Sequence, residues 1–320
     1  MVLVNYNGHG RLQACLEALR PQAVDAGAEV VVVDNASTDY SLQWLREQRG
    51  WLRLIASSVN LGFAAANNLA IRESKAPFLI LLNTDTRPRP GALGALLAAA
   101  ESSPRAAAVT AKLVFADRPS VIQNAGLLLL SDGSGGDRGT GEEDRGQFDR
   151  AEEVFGACGA AMLLRRMALT EAGLFDQTFW MYYEDLDLSW RLRLAGWRVL
   201  YEPGAVVEHE HAGTSGEWSS RFTFLVDRNR LFTVLKNGAP ALVARSFSSL
   251  LGRATRSAAS ADPAPNRGPR RARAHGPVAL SFARHLPEML AKRRLIRSRR
   301  QVSDAEIEGW MFPRARWDAR

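Results

Sequence analysis

Four short apolar runs recur about every 25 residues, and each closes on a polar side chain. They are VLVNY (residues 2–6), EVVVVDN (29–35), LRLIAS (52–57) and PFLILLN (77–83). Helical spacing fills the gaps between them. RLQACLEALR follows the Asn7–Gly8 turn, and a stretch opened by the capping types Ser37, Thr38 and Asp39 leads into YSLQWLREQ. LGFAAANNLAIRES is entered through Gly62, and PGALGALLAAAESS carries Pro90 near its first turn. The strands are continuous apolar runs and not alternating ones, so both faces are predicted to be buried. The expected fold class is α/β, an open, mostly parallel sheet with helices on both faces. Such sheets bind ligands at the carboxyl ends of their strands. Asn5, Asp34 and Asp85 fall there.

Beyond the fourth strand the pattern loosens. Residues 131–150, SDGSGGDRGTGEEDRGQFDR, are Gly-rich and charged and read as a mobile loop or lid. VFGACGAAMLLRR then resumes with small residues and a strand. DLDLSWRLRLAGW reads as a helix closed by Gly196, RVLYEP as a short strand leading into VVEHEH, and residues 221–238 as a helix ending at Gly238. Residues 253–277 hold four prolines and read as a linker. No repeat is visible.

The chain is 46% hydrophobic and 23% charged, enough for a core and against wholesale disorder. Charge is unevenly placed. Residues 241–320 hold 17 Lys/Arg against 6 Asp/Glu, whereas residues 1–240 hold 24 against 28. A basic tail on a near-neutral body is expected to seek an anionic surface. The two cysteines, Cys15 and Cys158, suggest neither a disulfide framework nor a zinc site, which fits a reducing compartment. No apolar run approaches the roughly 18–20 residues that span a bilayer. The opening MVLVNYNG lacks a basic n-region and a cleavage site, so no signal peptide is expected; it starts inside a strand, so a few upstream residues are expected to be missing.

Four places carry candidate chemistry, each with a plainer alternative. Asp34 in DNASTD either caps the next helix or accepts from a nucleotide base or ribose at the sheet edge. Asn83 and Asp85 are ordinary turn residues, or they place a carboxylate where a divalent cation and phosphate oxygens meet. Glu184, Asp185 and Asp187 suit a helix N-terminus on dipole grounds alone. The aromatics Trp180, Tyr182 and Tyr183 beside them would desolvate a carboxylate and raise it toward a useful base. Asp187 and Arg191 stand at i, i+4 and can pair. His209 and His211 alternate after an apolar strand, as structural residues or as metal ligands.

Their order is more specific than any one of them. VNYNG, VVVDNASTD, NLGFAAANNLAI, LLNTDTRPRPGAL, GACGAAMLLRR, GLFDQTFWMYYEDLDLSWRLRLAGWRVLYEPGAVVEH and RNRLFTVLKN run in sequence over residues 2–238. In these stretches the chain resembles the family 2 glycosyltransferases, inverting enzymes of the GT-A, Rossmann-like fold. It looks most like the rhamnosyltransferase branch. The resemblance implies a nucleotide-sugar site made by Asn5, Tyr6, Asp34, Asn60, Asn67, Asn83, Thr84 and Asp85, with Asp34 accepting from the base. It implies Mg2+ or Mn2+ at Asp85 and His209, with Asn83 standing where the family motif often has a second aspartate. Asp185 matches the catalytic base, and Trp180 and Glu184 the acceptor side.

The implied activity is inverting, metal-dependent transfer of rhamnose or another hexose from a UDP- or dTDP-sugar to a glycan or polyprenyl-diphosphate-linked acceptor in cell-envelope polysaccharide synthesis. The expected organisation is a GT-A domain over 1–240, with a nucleotide-sugar half (1–115), the 131–150 loop and an acceptor and catalytic half (154–240). Residues 241–320 would be a basic linker and helical tail. Its KRRLIRSRR segment (292–300) would dock on an anionic membrane, placing the protein on the cytoplasmic face of the cell membrane. The rivals are a non-catalytic nucleotide-sugar or glycan binder and a sugar nucleotidyltransferase. The latter lacks a convincing Gly-rich, basic loop in NYNGHGRLQ. No nucleic-acid module is recognisable, so no nucleic-acid partner is expected.

Overall fold

The computed structural model describes residues 1–48, 50–210, 219–247 and 269–319. Its first third is the predicted alternation. Strands β1 (Val2–Asn5), β2 (Val30–Asn35), β3 (Leu52–Ser57) and β4 (Phe78–Asn83) are joined through α1 (His9–Asp25), α2 (Ser41–Glu47) and α3 (Gly62–Glu73). β5 (Thr86–Pro88), α4 (Ala92–Ser102), β6 (Ala106–Phe115), β7 (Ile122–Asn124), β8 (Leu127–Leu130), β9 (Gly135–Asp137) and β10 (Glu152–Glu153) follow. Next come β11 (Ala161–Arg165), α5 (Arg166–Ala172), α6 (Glu184–Leu194), β12 (Arg198–His209) and α7 (Ser220–Asn237). The chain ends in α8 (Pro269–Arg299), α9 (Asp304–Glu308), β13 (Met311–Phe312) and α10 (Arg314–Asp318).

The main sheet runs β10-β12-β6-β11-β4-β1-β2-β3, with β5 on β12 and β7 on β6. β1 to β4 pair in parallel, and β11 is inserted antiparallel between β4 and β6. Alternation of side chains divides each strand between two cores. Val31, Val33, Leu79 and Leu81 face the layer shared with α3, α5 and α6. Leu3, Val30, Val32, Ile80 and Leu82 face the layer shared with α1 and α4. That double burial is why the strands read as unbroken apolar runs.

Three elements differ from expectation. RVLYEP and VVEH form one strand, β12, with a register shift between Glu202 and Val206 that absorbs Pro203 and Gly204. Residues 131–150, expected as a loop or lid, hold regular structure in part. β9 pairs with β8, and buried Lys112 anchors the remainder through Asp144 at 2.9 Å and Asp149 at 2.5 Å. The linker reading over 253–277 is overturned from Pro269 onward, because Pro269 and Pro277 belong to α8; residues 253–268 lie outside the described residues. A proline inside a helix costs about 3 kcal/mol. Here Val278 and Met289 are buried, and Phe282 and Leu286 pack with the α7 residues Phe232 and Leu235. Burying such side chains returns about 1.5–3 kcal/mol each.

The C-terminal residues fold back on the body. β13 pairs in parallel with β8, making a second sheet of order β13-β8-β9. Among the described residues, no helix is long and apolar enough to cross a membrane.

Candidate active site

A cleft of ≈ 610 Å³ opens at the carboxyl ends of β1, β2 and β4. Tyr6, Asn35, Asn60, Asn83, Thr84 and Asp85 form one side, and Trp180, Tyr182, Glu184 and Asp185 the other. The chain reaches the second side through a contorted turn, with positive φ at Trp180, Tyr182 and Tyr183. Such angles are rare for bulky residues and cluster at functional sites. Gly62 makes the close approach possible. Its φ is +77°, and a Cβ there would lie 2.5 Å from the Trp180 ring.

Asp85 and His209, 124 positions apart, meet because β5 pairs antiparallel with the end of β12, Thr86 opposite His209. Asp85 Oδ1 lies 3.3 Å from His209 Nε2. His209 Nδ1 is 2.7 Å from Gln123 Oε1. A carboxamide oxygen only accepts, so Nδ1 carries the proton and, in the neutral ring, Nε2 presents a lone pair. Two acceptors then face each other across 3.3 Å. This is a donor set that fits a cation, with the second imidazole nitrogen oriented by a carbonyl as in metal-bound histidines. Among the described residues no third carboxylate, histidine or cysteine joins them. The remaining ligands would have to come from substrate or water.

Across the cleft, α6 begins with Glu184 and Asp185. Asp185 Oδ2 accepts from the Gly159 backbone N–H at 3.0 Å, and Oδ1 from the Leu186 N–H at 2.8 Å. Burial raises the Asp185 pKa above the ordinary aspartate value, the two N–H groups hold it down, and the charge of Asp137 adds to the rise. Glu184 is buried, and its Oε2 has no partner. Burial, reinforced by the charge of Asp185, pushes its carboxyl well above the usual range. The pair therefore divides its roles. Asp185, with two donors, is the better placed of the two to carry negative charge, and Glu184 the more reluctant to ionise. Asp187 turns inward and pairs with Arg191 at 2.9 Å, as the i, i+4 spacing allowed.

Of the twelve sequence-predicted site residues, nine line the cleft: Tyr6, Asn60, Asn83, Thr84, Asp85, Trp180, Glu184, Asp185 and His209. Three stand behind its wall. Asp34 is wholly buried and accepts from Asn5 Nδ2 at 3.1 Å and from the Ser37 N–H at 3.1 Å, a turn contact; α2 begins later, at Ser41, without a side-chain cap. Asn5 also donates to Ser37 Oγ at 3.0 Å, so this pair fixes the β1 and β2 ends together. Asn67 is buried in α3 and donates to the Phe63 carbonyl at 3.0 Å. The neighbour of Asp34 takes the place on the cleft wall: Asn35, itself buried, lines the cleft and donates to Asn60 Oδ1 at 3.0 Å. Sequence reasoning also missed Gln123, Asp137, Gly159 and Arg221, which stacks over Trp180 at 4.0 Å. His211 lies outside the described residues.

A family model, Glycosyl transferase family 2, matches residues 1–173, more than half of the chain. The chain belongs to that family. This glycosyltransferase is 29% identical over 259 residues to the N-acetylglucosaminyl-diphospho-decaprenol L-rhamnosyltransferase of Mycobacterium tuberculosis (strain ATCC 25618 / H37Rv), covering 72% of this chain and 84% of that protein. Solved structures extend the likeness to the C-terminal region. Staphylococcus aureus TarS 1–349 in complex with UDP-GlcNAc aligns with a TM-score of 0.56 at 16% identity, over 96% of this chain and 91% of that one. The mannosyltransferase PcManGT from Pyrobaculum calidifontis, in complex with GDP-Man and Mn2+, aligns with a TM-score of 0.54 at 17% identity, over 92% and 83%. At such identities the likeness carries the fold, and the glycosyltransferase has the GT-A arrangement.

Proposed function

We propose that this glycosyltransferase moves rhamnose or another hexose from a dTDP- or UDP-linked donor to a polyprenyl-diphosphate-linked glycan, inverting the anomeric carbon, in cell-envelope polysaccharide synthesis. The named activity of the mycobacterial relative supports the sugar and acceptor class. One observation carries the mechanism. A half-buried carboxylate propped by two backbone N–H groups shares a cleft with an acidic and imidazole pair whose lone pairs converge.

Tyr6, Asn35 and Asn60 hold the nucleoside end of the donor, and Asn83 and Thr84 flank the diphosphate. Mg2+ or Mn2+ at Asp85 Oδ1 and His209 Nε2 would neutralise the charge that develops on the leaving diphosphate. Asp185 takes the proton of the acceptor hydroxyl as that oxygen attacks the anomeric carbon. The new C–O bond forms on the face opposite the bond to the diphosphate. That bond breaks with its electron pair on the phosphate oxygen, so configuration inverts. Glu184, holding its own proton, donates a hydrogen bond to the acceptor without competing as a base.

Membrane association belongs to the same reading, with a revised surface. Lys292 bonds Asp176 at 2.6 Å, Arg293 donates to the Leu235 and Gly238 carbonyls, and Arg297 pairs with Asp304. Half of the basic segment is thus turned inward. Arg284, Arg294 and Arg299 face outward on α8 with Leu280, Leu290 and Leu295, a mixed basic and apolar face suited to an anionic leaflet.

The test is thermal stability with dTDP, UDP, GDP and CMP, each with and without Mn2+. A ligand at 100 times its dissociation constant adds about 2.7 kcal/mol. A Mn2+-dependent shift with dTDP or UDP is expected, and Asp85→Ala should abolish it. Asp185→Asn should keep the shift and lose transfer by at least about a hundredfold. Full transfer activity in Asp185→Asn sinks the base assignment.

A further inference from the structure

The acceptor half of the cleft has a wall that no predicted residue occupies. It is β9, Gly135-Gly136-Asp137, and all three residues line the cleft. Asp137 is exposed into it, beside Asp185, and accepts from Asn124 Nδ2 at 2.6 Å. β9 is clamped from both faces. A Cβ on Gly135 would lie 3.1 Å from Leu186 of the catalytic helix, and a Cβ on Gly136 would lie 3.1 Å from the Trp317 ring. The Gly135 N–H donates to Tyr183 Oη at 3.3 Å, at the N-cap of α6. Two glycines are therefore what allow a strand to pass between the C-terminal helix and the catalytic helix.

The C-terminal segment is fixed independently of β9. The Gln301 N–H donates to the Leu194 carbonyl at 2.7 Å, Ile307 is buried with Leu186 and Trp190, and Trp310 lies under Arg193. The Ser131 N–H donates to the Phe312 carbonyl at 2.9 Å, and Arg314 reaches Ser134 Oγ at 3.1 Å. The β8–β9 turn is thus gripped by residues from the far end of the chain.

We propose that Asp137 is a specificity-determining residue of the acceptor subsite, accepting a hydrogen bond from a hydroxyl of the acceptor sugar, and that the C-terminal segment sets its position from behind through Trp317. A second observation points to a polar ligand on this wall. Glu184 lines the same half of the cleft, and its buried Oε2 has no partner. A hydroxyl-bearing ring between Asp137 and Glu184 satisfies both: one carboxylate accepts, and one carboxyl group donates. The inference rests on the glycosyltransferase reading above and adds to it the residue that discriminates acceptors.

The experiment measures transfer from dTDP-rhamnose to N-acetylglucosaminyl-diphospho-decaprenol, and to monodeoxy variants of that acceptor sugar, by the full-length chain, Asp137→Ala, Trp317→Ala and Trp317→Phe. Losing a hydrogen bond to a charged group raises the acceptor KM by about tenfold to a hundredfold. Asp137→Ala should show that rise with the donor KM unchanged. One monodeoxy acceptor should show it with the wild-type chain and add nothing further in Asp137→Ala. Trp317→Ala should raise the acceptor KM in the same direction, with Trp317→Phe restoring it. An acceptor KM within twofold of wild type in Asp137→Ala overturns the inference, and so does a rise with no monodeoxy acceptor that fails to add. If wild-type chain transfers nothing and binds no nucleotide in the thermal test, the functional reading falls and takes this inference with it.

Discussion

At the scale of single residues, the decisive contrast is between two adjacent carboxyl groups. Asp185 has two backbone donors and Glu184 Oε2 has none, so burial acts on them unequally. Both pKa values are raised, which fixes the sign of two pH effects. A group whose folded pKa lies above its unfolded one binds more protons when folded. Its contribution to stability is full below the unfolded value and is lost as pH rises through the folded one. Glu184→Gln should therefore melt higher than wild type near neutral pH, with the gap closing below the ordinary glutamate range. Melting curves at the two pH values check this. On the proposed base role of Asp185, the acid limb of kcat should lie above the ordinary aspartate value, because a base must lose its proton to act. Asp137→Asn should move that limb down, since the Asp137 charge contributes to the rise. Asp85 and His209 could be placed from the sequence because each stands where an apolar strand ends, and Asp185 because it opens a helix beside the aromatics Trp180, Tyr182 and Tyr183. Asp34 could not be placed from its letters, because a carboxylate that ties two strand ends together and one that meets a base read alike in DNASTD. Gly159 was invisible because it contributes a backbone N–H, which no side-chain pattern records.

At the scale of elements, α6 is held from below by buried charge. Lys236 of α7 sits between Asp176, 2.6 Å away, and Asp187 of α6, 2.8 Å away. Asp187 also accepts from Arg191 and from Asn237 Nδ2, each at 2.9 Å, and Asp176 from Lys292 of α8. Opposite charge overcomes burial at both carboxylates and pulls their pKa values down. Three helices thus meet in one network of opposite charges. Lys236→Met keeps the volume but strips the central cation from two buried carboxylates. Breaking a buried pair in this way costs about 3–5 kcal/mol, to be read as a fall in the denaturant midpoint. A loss below about 1 kcal/mol would mean that Arg191 and Lys292 suffice. The sequence displayed the Asp187–Arg191 spacing but not the bonds of Lys236 and Lys292 to Asp176 and Asp187, which span 49 or more positions. Likewise β12 read as two pieces because Pro203 and Gly204 break the pattern, while pairing with β6 on both sides of the register shift overrides it.

At the scale of the whole molecule, the basic C-terminal region is both scaffold and surface. The charge count alone placed an anionic partner there, and it could not separate cations consumed inside the fold from those left outside. Lys292, Arg293 and Arg297 fasten α8 to the body, whereas Arg284, Arg294 and Arg299 are exposed beside Leu280, Leu290 and Leu295. The two sets alternate around α8, so they can be altered separately. Each basic residue near an anionic leaflet contributes about 1 kcal/mol. Arg294→Gln with Arg299→Gln should then weaken sedimentation with vesicles rich in phosphatidylglycerol by about thirtyfold, without changing the melting temperature. Binding to purely phosphatidylcholine vesicles should be weak for both chains, and added salt should erase most of the difference. Arg297→Gln should do the reverse, lowering the melting temperature through its lost contacts with Asp304 and the Gly238 carbonyl while leaving the outward face intact. If Arg294→Gln with Arg299→Gln binds anionic vesicles as wild type does, the outer face of α8 is not the membrane surface, and α8 is a brace for α7 alone.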